Sequence, residues 1–435
     1  MNDTPRSERL HIGIFGNRNA GKSSLINALT GQNVSVVSDV GGTTTDPVYK
    51  AMELHGFGPV VFIDTPGLDD TGDLGKLRVE KTLEALEKTD VAVLVLDVTE
   101  LGETNVSVDS GDADGSTVAA TLAFGAAGTA FGAAIDVWRE RIKARNIPVI
   151  TVANKCDKIA VSGIHGGEIC ATCTTADNPG ASDSDILYVS ASNGTNIEKL
   201  RERIVKAVPE SFFETTITGN LLYGGELVLL VMPQDIEAPK GRLILPQVQT
   251  IRELLDKKCA VMSCTADTLD MTLSCLSKAP SLIITDSQAF KEVYPKVPAE
   301  SRLTSFSILF AAYKGDMHAF LEGAEALSKL KDGSRVLIAE ACTHPPTNED
   351  IGRDKIPTLI RKKFGENILF DFVRGADFPD DLSKYQLIIH CGACMFNRQH
   401  VMSRIARASA QGVPICNYGI ALAYLNGILD KVVHP

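Results

Sequence analysis

The chain has 435 residues, enough for about three domains that each bury a core without disulfide or metal staples. Its 54 acidic residues outnumber 43 basic ones, and the formal charge of −11 excludes a protein held to nucleic acid or an anionic membrane by a general basic field. Met1 to Arg9 is polar, so no secretory signal is expected, and the ten cysteines read as thiols, ligands or catalytic groups of a reducing, cytoplasmic compartment.

In chain order, Leu10 to Phe15 reads as a buried strand, followed by Gly16-Asn17-Arg18-Asn19-Ala20-Gly21-Lys22-Ser23 and a helix from Ser24. Strand, G-x-x-x-x-G-K-S loop and helix make a P-loop, whose glycines let backbone N–H groups turn toward phosphates. Gly16, Asn19, Ala20, Gly21, Lys22, Ser23 and Ser24 are the expected nucleotide contacts. Lys22 would reach the β- and γ-phosphates, and Ser23 would hold Mg²⁺. Strand Val60 to Ile63 ends in Asp64-Thr65-Pro66-Gly67, where Asp64 suits Mg²⁺ and the Gly67 N–H suits a γ-phosphate. Val91 to Leu96 is a further strand. Pro148 to Ala153 ends in Asn154-Lys155-Cys156-Asp157, the N-K-x-D pattern whose aspartate accepts two N–H donors of guanine. Leu187 to Val189 ends in Ser190-Ala191-Ser192, suited to a contact with the guanine oxygen.

This ordered set resembles the translation-factor-like GTPases that include the Era and MnmE families. The resemblance implies that Thr44, in Gly42-Thr43-Thr44-Thr45-Asp46, completes the Mg²⁺ shell beside Ser23 and Asp64. It implies that Asn19 binds K⁺ next to the phosphates. Leu68 stands where Ras-like enzymes carry a water-orienting glutamine, so hydrolysis is expected to be slow unless a cation or a conformational change completes the site.

Two stretches interrupt this domain. Residues 105–134 are rich in Gly, Ala, Ser and Thr and are expected to be a flexible insertion; their uncharged part, Ser116 to Ile135, is not expected to span a membrane. Residues 160–185 hold His165 and the pair Cys170 and Cys173 without a redox context. After Pro209 strands alternate with helices again (Leu227 to Met232, Cys259 to Ser263, Leu282 to Thr285), which predicts an α/β layer without catalytic residues. Cys259, Cys264 and Cys275 are expected there as small buried residues.

The last third places two cysteine motifs at strand ends. Arg335 to Ala339 leads to Glu340-Ala341-Cys342-Thr343-His344, and Leu387 to Ile389 leads to His390-Cys391-Gly392-Ala393-Cys394. Strand C-termini are where open α/β sheets hold ligands, so distant thiols can converge. Zinc would accept three cysteines and a histidine, and a [4Fe–4S] cluster would accept three cysteines with one iron left open; the residues alone do not choose. Behind an Era-like GTPase and a middle domain, the C-x-H and H-C-x-x-C pair resembles the [FeFe]-hydrogenase maturation GTPases of the HydF family.

That resemblance implies a [4Fe–4S] cluster on Cys342, Cys391 and Cys394, with His344, His390 or Glu340 as a fourth ligand. It also implies a homodimer, a transient two-iron subcluster, the radical-SAM partners HydE and HydG, and delivery to the apo-hydrogenase HydA. The expected fold is α/β: a P-loop GTPase domain with a mostly parallel sheet over 1–213, a dimerisation domain over 220–330 and a cluster-binding domain over 331–435. The competing expectation is an Era/MnmE-like GTPase of ribosome assembly or tRNA modification with a zinc-binding C-terminal domain. No basic-aromatic patch supports it.

Overall fold

The structure is a computed structural model that describes residues 4–31, 46–68, 72–100, 105–109, 119–123, 130–158, 186–233, 243–341, 350–375 and 377–435. The chain forms two compact units, Met1–Phe212 and Phe213–Pro435.

The strands of the first unit are β1 (Leu10–Gly16), β2 (Val48–Leu54), β3 (Gly58–Asp64), β4 (Val91–Asp97), β5 (Asn105–Asp109), β6 (Ala119–Ala123), β7 (Val149–Asn154) and β8 (Leu187–Tyr188). Its helices are α1 (Lys22–Thr30), α2 (Gly72–Leu86), α3 (Ala130–Lys143) and α4 (Ile197–Lys206); α5 (Glu210–Glu214) runs across the boundary in sequence. Six strands form a sheet in the order β2-β3-β1-β4-β7-β8, all parallel except β2 against β3. Every position of β1 and β4 is buried, because helices cover both faces of such a sheet. Alternation sorts their side chains. Ile12, Ile14, Val93 and Val95 join Leu25 of α1 and Ile204 of α4, whereas Phe15, Leu94 and Leu96 join Leu86 of α2 and Ile142 of α3. The nucleotide motifs consequently follow the C-terminal ends of β1, β3, β7 and β8.

The segment expected as a flexible insertion holds a hairpin instead, with β5 and β6 paired antiparallel. Val106 and Val108 alternating with Ser107 give β5 the period of a strand. Residues 160–185, with His165, Cys170 and Cys173, lie outside the described residues.

The second unit contains β9 (Leu227–Val231), β10 (Ala260–Cys264), β11 (Leu282–Thr285), β12 (Arg302–Ser305), β13 (Arg335–Glu340), β14 (Leu369–Arg374), β15 (Leu387–His390) and β16 (Ile415–Asn417). Its helices are α6 (Leu245–Asp256), α7 (Leu269–Ser274), α8 (Phe290–Val293), α9 (Phe306–Lys314), α10 (Met317–Leu327), α11 (Ile356–Phe364), α12 (Arg398–Ala410) and α13 (Tyr418–Leu425). They build two parallel four-stranded sheets, β10-β9-β11-β12 and β14-β13-β15-β16. Val228, Leu230 and Ile284 cover one face of the first sheet with Leu254 and Phe306. Leu229, Val231 and Ile283 on its other face enter the same core as Val336, Ile338 and Ile388 of the second sheet. A four-stranded layer is too small to screen both faces by itself, so the two layers share a core.

The expected boundary at 330/331 therefore runs through a shared core. On the N-terminal side of that boundary, α10 packs on β16, so closely that a Cβ at Gly323 would stand 2.0 Å from the Ile415 carbonyl oxygen. Of the three middle cysteines only Cys259 is buried; Cys264 is half-buried, and Cys275, at the C-cap of short α7, is exposed. Among the described residues no helix is long and apolar enough to cross a membrane.

Candidate functional site

The P-loop turns through backbone that favours glycine. Gly21 caps α1 at φ +88°, and a Cβ there would lie 2.2 Å from Asn154 Nδ2. Asn19 takes the left-handed region at φ +62° and is exposed at the loop tip. Lys22 folds over the loop, its Nζ donating to the carbonyls of Gly16 at 2.8 Å and Asn17 at 2.7 Å. Ser23 Oγ donates to Asp64 Oδ2 at 2.7 Å, which brings two expected Mg²⁺ ligands together at the α1 N-terminus. Thr65 Oγ1 donates to the Ile14 carbonyl at 2.7 Å and pins the Asp64–Gly67 turn to β1. Leu68 packs with the Phe15 and Leu86 cluster. Thr44 lies outside the described residues.

The base-binding side is a cleft of about 550 Å³, lined in part by Gly21, Ser24, Asn154, Asp157 and Ala191. Asn154 ties its edges: Nδ2 donates to the Ala20 carbonyl at 2.9 Å, and the Ala191 N–H donates to Oδ1 at 3.1 Å. Lys155 reaches Asp97 Oδ2 at 2.5 Å. Burial works to raise the Asp97 carboxyl, and the hydrogen bonds from Lys155 and Thr99 outweigh it, holding the group below its ordinary range. Ser190 Oγ donates to Asp157 Oδ1 at 2.5 Å, and chiefly this bond lowers the Asp157 carboxyl. Asp157 is thus kept ionised and able to accept two N–H groups.

The cysteine motifs follow adjacent strands, Ala339 of β13 being paired with His390 of β15. Cys391 Sγ accepts from the Ala341 N–H at 3.1 Å and the Ala393 N–H at 3.4 Å. Ala393 turns the loop at φ +47°. Burial pushes the Cys391 thiol up, and the two amides oppose it. Thiol donors with N–H···S support suit a thiophilic metal. Cys342 and His344 lie outside the described residues, and among the described residues no three His, Cys, Asp or Glu groups converge as a metal site.

His390 does something other than expected. It is fully buried, its Nδ1 meets the Cys391 carbonyl at 2.7 Å, and its Nε2 meets Arg404 Nη1 at 3.0 Å. A carbonyl only accepts and a guanidinium only donates, so the ring is neutral with its proton on Nδ1. Burial first, then Arg404, lowers its pKa to about 3. Both nitrogens are engaged, so as placed His390 supports the loop and does not present a ligand. Glu340 Oε2 accepts from Arg374 Nε at 3.0 Å, and its side chain is 13% exposed.

Four groups were not legible as site residues. Lys50 Nζ lies 3.4 Å from Asp64 Oδ2. Lys314, only 2% exposed, donates to the Cys394 carbonyl at 3.3 Å and the Phe396 carbonyl at 2.6 Å. Arg404, 1% exposed, also donates to the Gly375 carbonyl. The Tyr418 hydroxyl is out of solvent without a hydrogen-bond partner among the described residues, and burial, Cys391 and Glu340 all raise it. Lys314 and Tyr418 are polar residues beside apolar runs, the signal a sequence offers for such groups, whereas Arg404 lies in a polar, basic helix that gives none.

Comparison with known proteins adds an independent line. Residues 217–315 match the family described as hydrogen maturase F dimerization domain, and residues 318–435 match the hydrogen maturase F tetramerization domain. Residues 11–121 match the family of 50S ribosome-binding GTPases. GTPase Der of Wolinella succinogenes is 33% identical over 220 residues, covering 48% of this chain and 39% of that protein. The tRNA modification GTPase MnmE of Chromobacterium violaceum is 44% identical over 91 residues, 21% of this chain and 20% of that protein. The chain thus spans well under half the length of these curated relatives. A solved structure of Aquifex aeolicus Era bound to GDP·AlF4⁻ aligns with 59% of this chain and 92% of that one, at 20% identity and a TM-score of 0.32. With a GTPase domain in front and both hydrogen maturase F domains filling the second unit, the chain belongs to the hydrogen maturase F (HydF) family.

Proposed function

We propose that this chain is a GTP-hydrolysing scaffold of [FeFe]-hydrogenase maturation that carries a [4Fe–4S] cluster and hands a two-iron subcluster to an apo-hydrogenase. One conjunction carries the reading: behind a match to the hydrogen maturase F dimerization domain, the residues matched by the tetramerization domain hold a C-x-x-C loop whose first sulfur already accepts two amide hydrogen bonds. Cys342, Cys391 and Cys394 would hold the cluster, which supplies a redox-active attachment point when bound, and His344 or Glu340 would be the candidates for the remaining iron, since both nitrogens of His390 are engaged. Lys314 and Arg404 hold the loop from below. In the first unit Lys22 would bind the phosphates, and Ser23, Asp64 and Thr44 would hold Mg²⁺, which neutralises phosphate charge. Asn19 would hold K⁺; Leu68, packed into a hydrophobic cluster, orients no water.

GTP binding over 1–213, dimerisation over 220–330 and cluster binding over 331–435 belong to this reading. So do self-association, the partners HydE, HydG and HydA, and a cytoplasmic location. The test is anaerobic purification. Iron and sulfide in [4Fe–4S] proportion, an electron paramagnetic resonance signal after reduction, and hydrogen evolution with HydE, HydG and apo-HydA are expected. Stoichiometric zinc without iron would sink the reading in favour of a ribosome-assembly or tRNA-modification GTPase, whose support is the likeness to Der and MnmE.

A further inference from the structure

The carboxylate expected to hold Mg²⁺ already faces a cation. Lys50 Nζ lies 3.4 Å from Asp64 Oδ2, the oxygen that also accepts from Ser23 Oγ at 2.7 Å. The side chains of Lys50 and Asp64 are 14% and 8% exposed, so the pair is largely withdrawn from water. Lys50 occupies a strand position with apolar neighbours. On β2 it shares a face with Met52 and Leu54, which are buried in the core that includes Leu25 of α1. The ammonium group also sits near the N-terminus of α1, where unpaired N–H groups repel positive charge. A mostly buried ammonium in that field is costly without a counter-charge, and Asp64 provides one. Ser23 Oγ and Asp64 Oδ2 are hard oxygen donors side by side, which fits Mg²⁺ held with several waters. Lys50 and Mg²⁺ therefore draw on the same carboxylate.

We propose that Lys50 is a built-in competitor of Mg²⁺ at Asp64 and sets how strongly nucleotide binding depends on the metal. Without Mg²⁺, Lys50 offsets the Asp64 charge that would otherwise repel nucleotide phosphates. When Mg²⁺ binds, two cations crowd one carboxylate and the Lys50 ion pair must loosen. The ammonium thus strengthens metal-free nucleotide binding and weakens metal-bound binding. The inference rests on the guanine-nucleotide reading of the site.

The experiment measures the affinity of the full chain for fluorescent N-methylanthraniloyl-GDP in excess Mg²⁺ and in excess EDTA. The ratio of the two affinities is the Mg²⁺ dependence. In Lys50→Met that ratio should rise about tenfold, equivalent to about 1.4 kcal/mol, through tighter binding with Mg²⁺ and weaker binding without it. Lys50→Arg keeps the charge and should stay near the wild-type ratio. Cooperative urea unfolding followed by Trp138, the single tryptophan, confirms that each variant is folded. An unchanged or smaller ratio in Lys50→Met would overturn the proposal. A wild-type chain that bound the probe in neither condition would overturn the nucleotide reading itself, which is a different result.

Discussion

In the first unit, Asn154 joins Ala20 to Ala191, Ser190 joins Asp157, and Thr65 joins Ile14. Each bond ties loops along one edge of one sheet and leaves the P-loop to meet a ligand. In the second unit, the Cys391–Cys394 loop is gripped from beneath by Lys314, 80 residues earlier than Cys394, and by Arg404 acting through His390. The first site is made to receive an anion on exposed N–H groups and so needs loops in register. The second presents a loop of cysteine thiols, and two buried cations lie behind it. Their desolvation is costly, and it is offset only while every carbonyl and ring nitrogen they meet stays in place. The nucleotide site should therefore lose function piece by piece, and the thiol site should lose structure along with function.

The sharpest separation comes from paired variants. Lys22→Ala should lower GTP hydrolysis on the order of 10³-fold or more and leave iron content unchanged, whereas Cys391→Ala should lose iron and keep hydrolysis. Iron retained in full by Cys391→Ala would break the comparison. Next, Arg404→Met should destabilise the second unit by about 3 kcal/mol, because His390 and the Gly375 carbonyl lose a buried donor. Trp138, on α3 of the first unit, should keep its urea midpoint while far-ultraviolet circular dichroism shows an earlier second transition. Coincident shifts in both signals would mean the units do not unfold separately.

Asp157→Asn should reduce the preference for GTP over xanthosine triphosphate by at least about 10²-fold, measured by competition binding; ATP hydrolysis by the wild type would contradict the reading of this carboxylate. K⁺ should accelerate hydrolysis over Na⁺ by on the order of tenfold at equal ionic strength, and Asn19→Ala should remove the difference. Equal wild-type rates in the two salts would leave Asn19 as a loop residue only. The smallest effect is acid-dependent. Asp97 has a lowered pKa, so its pair with Lys155 contributes stability above the ordinary carboxylate value of 3.8 and loses it as pH falls through the depressed value. Lys155→Met should cost about 1 kcal/mol at neutral pH, and the gap from wild type, read by Trp138 fluorescence, should close in acid.

The nucleotide site was legible because its residues form short contiguous motifs, each fixed to a strand end by local geometry. Gly21 shows why: only glycine fits between a left-handed backbone and Asn154. The cysteine loop was legible as a set of donors but not as a structure. His390 has the composition of a ligand, and only its neighbours Arg404 and the Cys391 carbonyl show that both nitrogens are used. The exposure of Cys275 was hidden for a similar reason, since residue type does not say which way a short helix end faces.

Local pattern by itself determined the α/β class, the strands that end in motifs and the motif positions, because strand period, glycine turns and motif spacing act within a few residues; it did not reveal β2, the β5–β6 hairpin or β12. Only the tertiary structure decided that α10 belongs to the last sheet, that two sheets share one core, and that Lys50, Lys314 and Arg404 end at functional loops. Those outcomes depend on which surfaces meet across tens of residues, where close packing at Gly323 and the cost of burying charge select one arrangement.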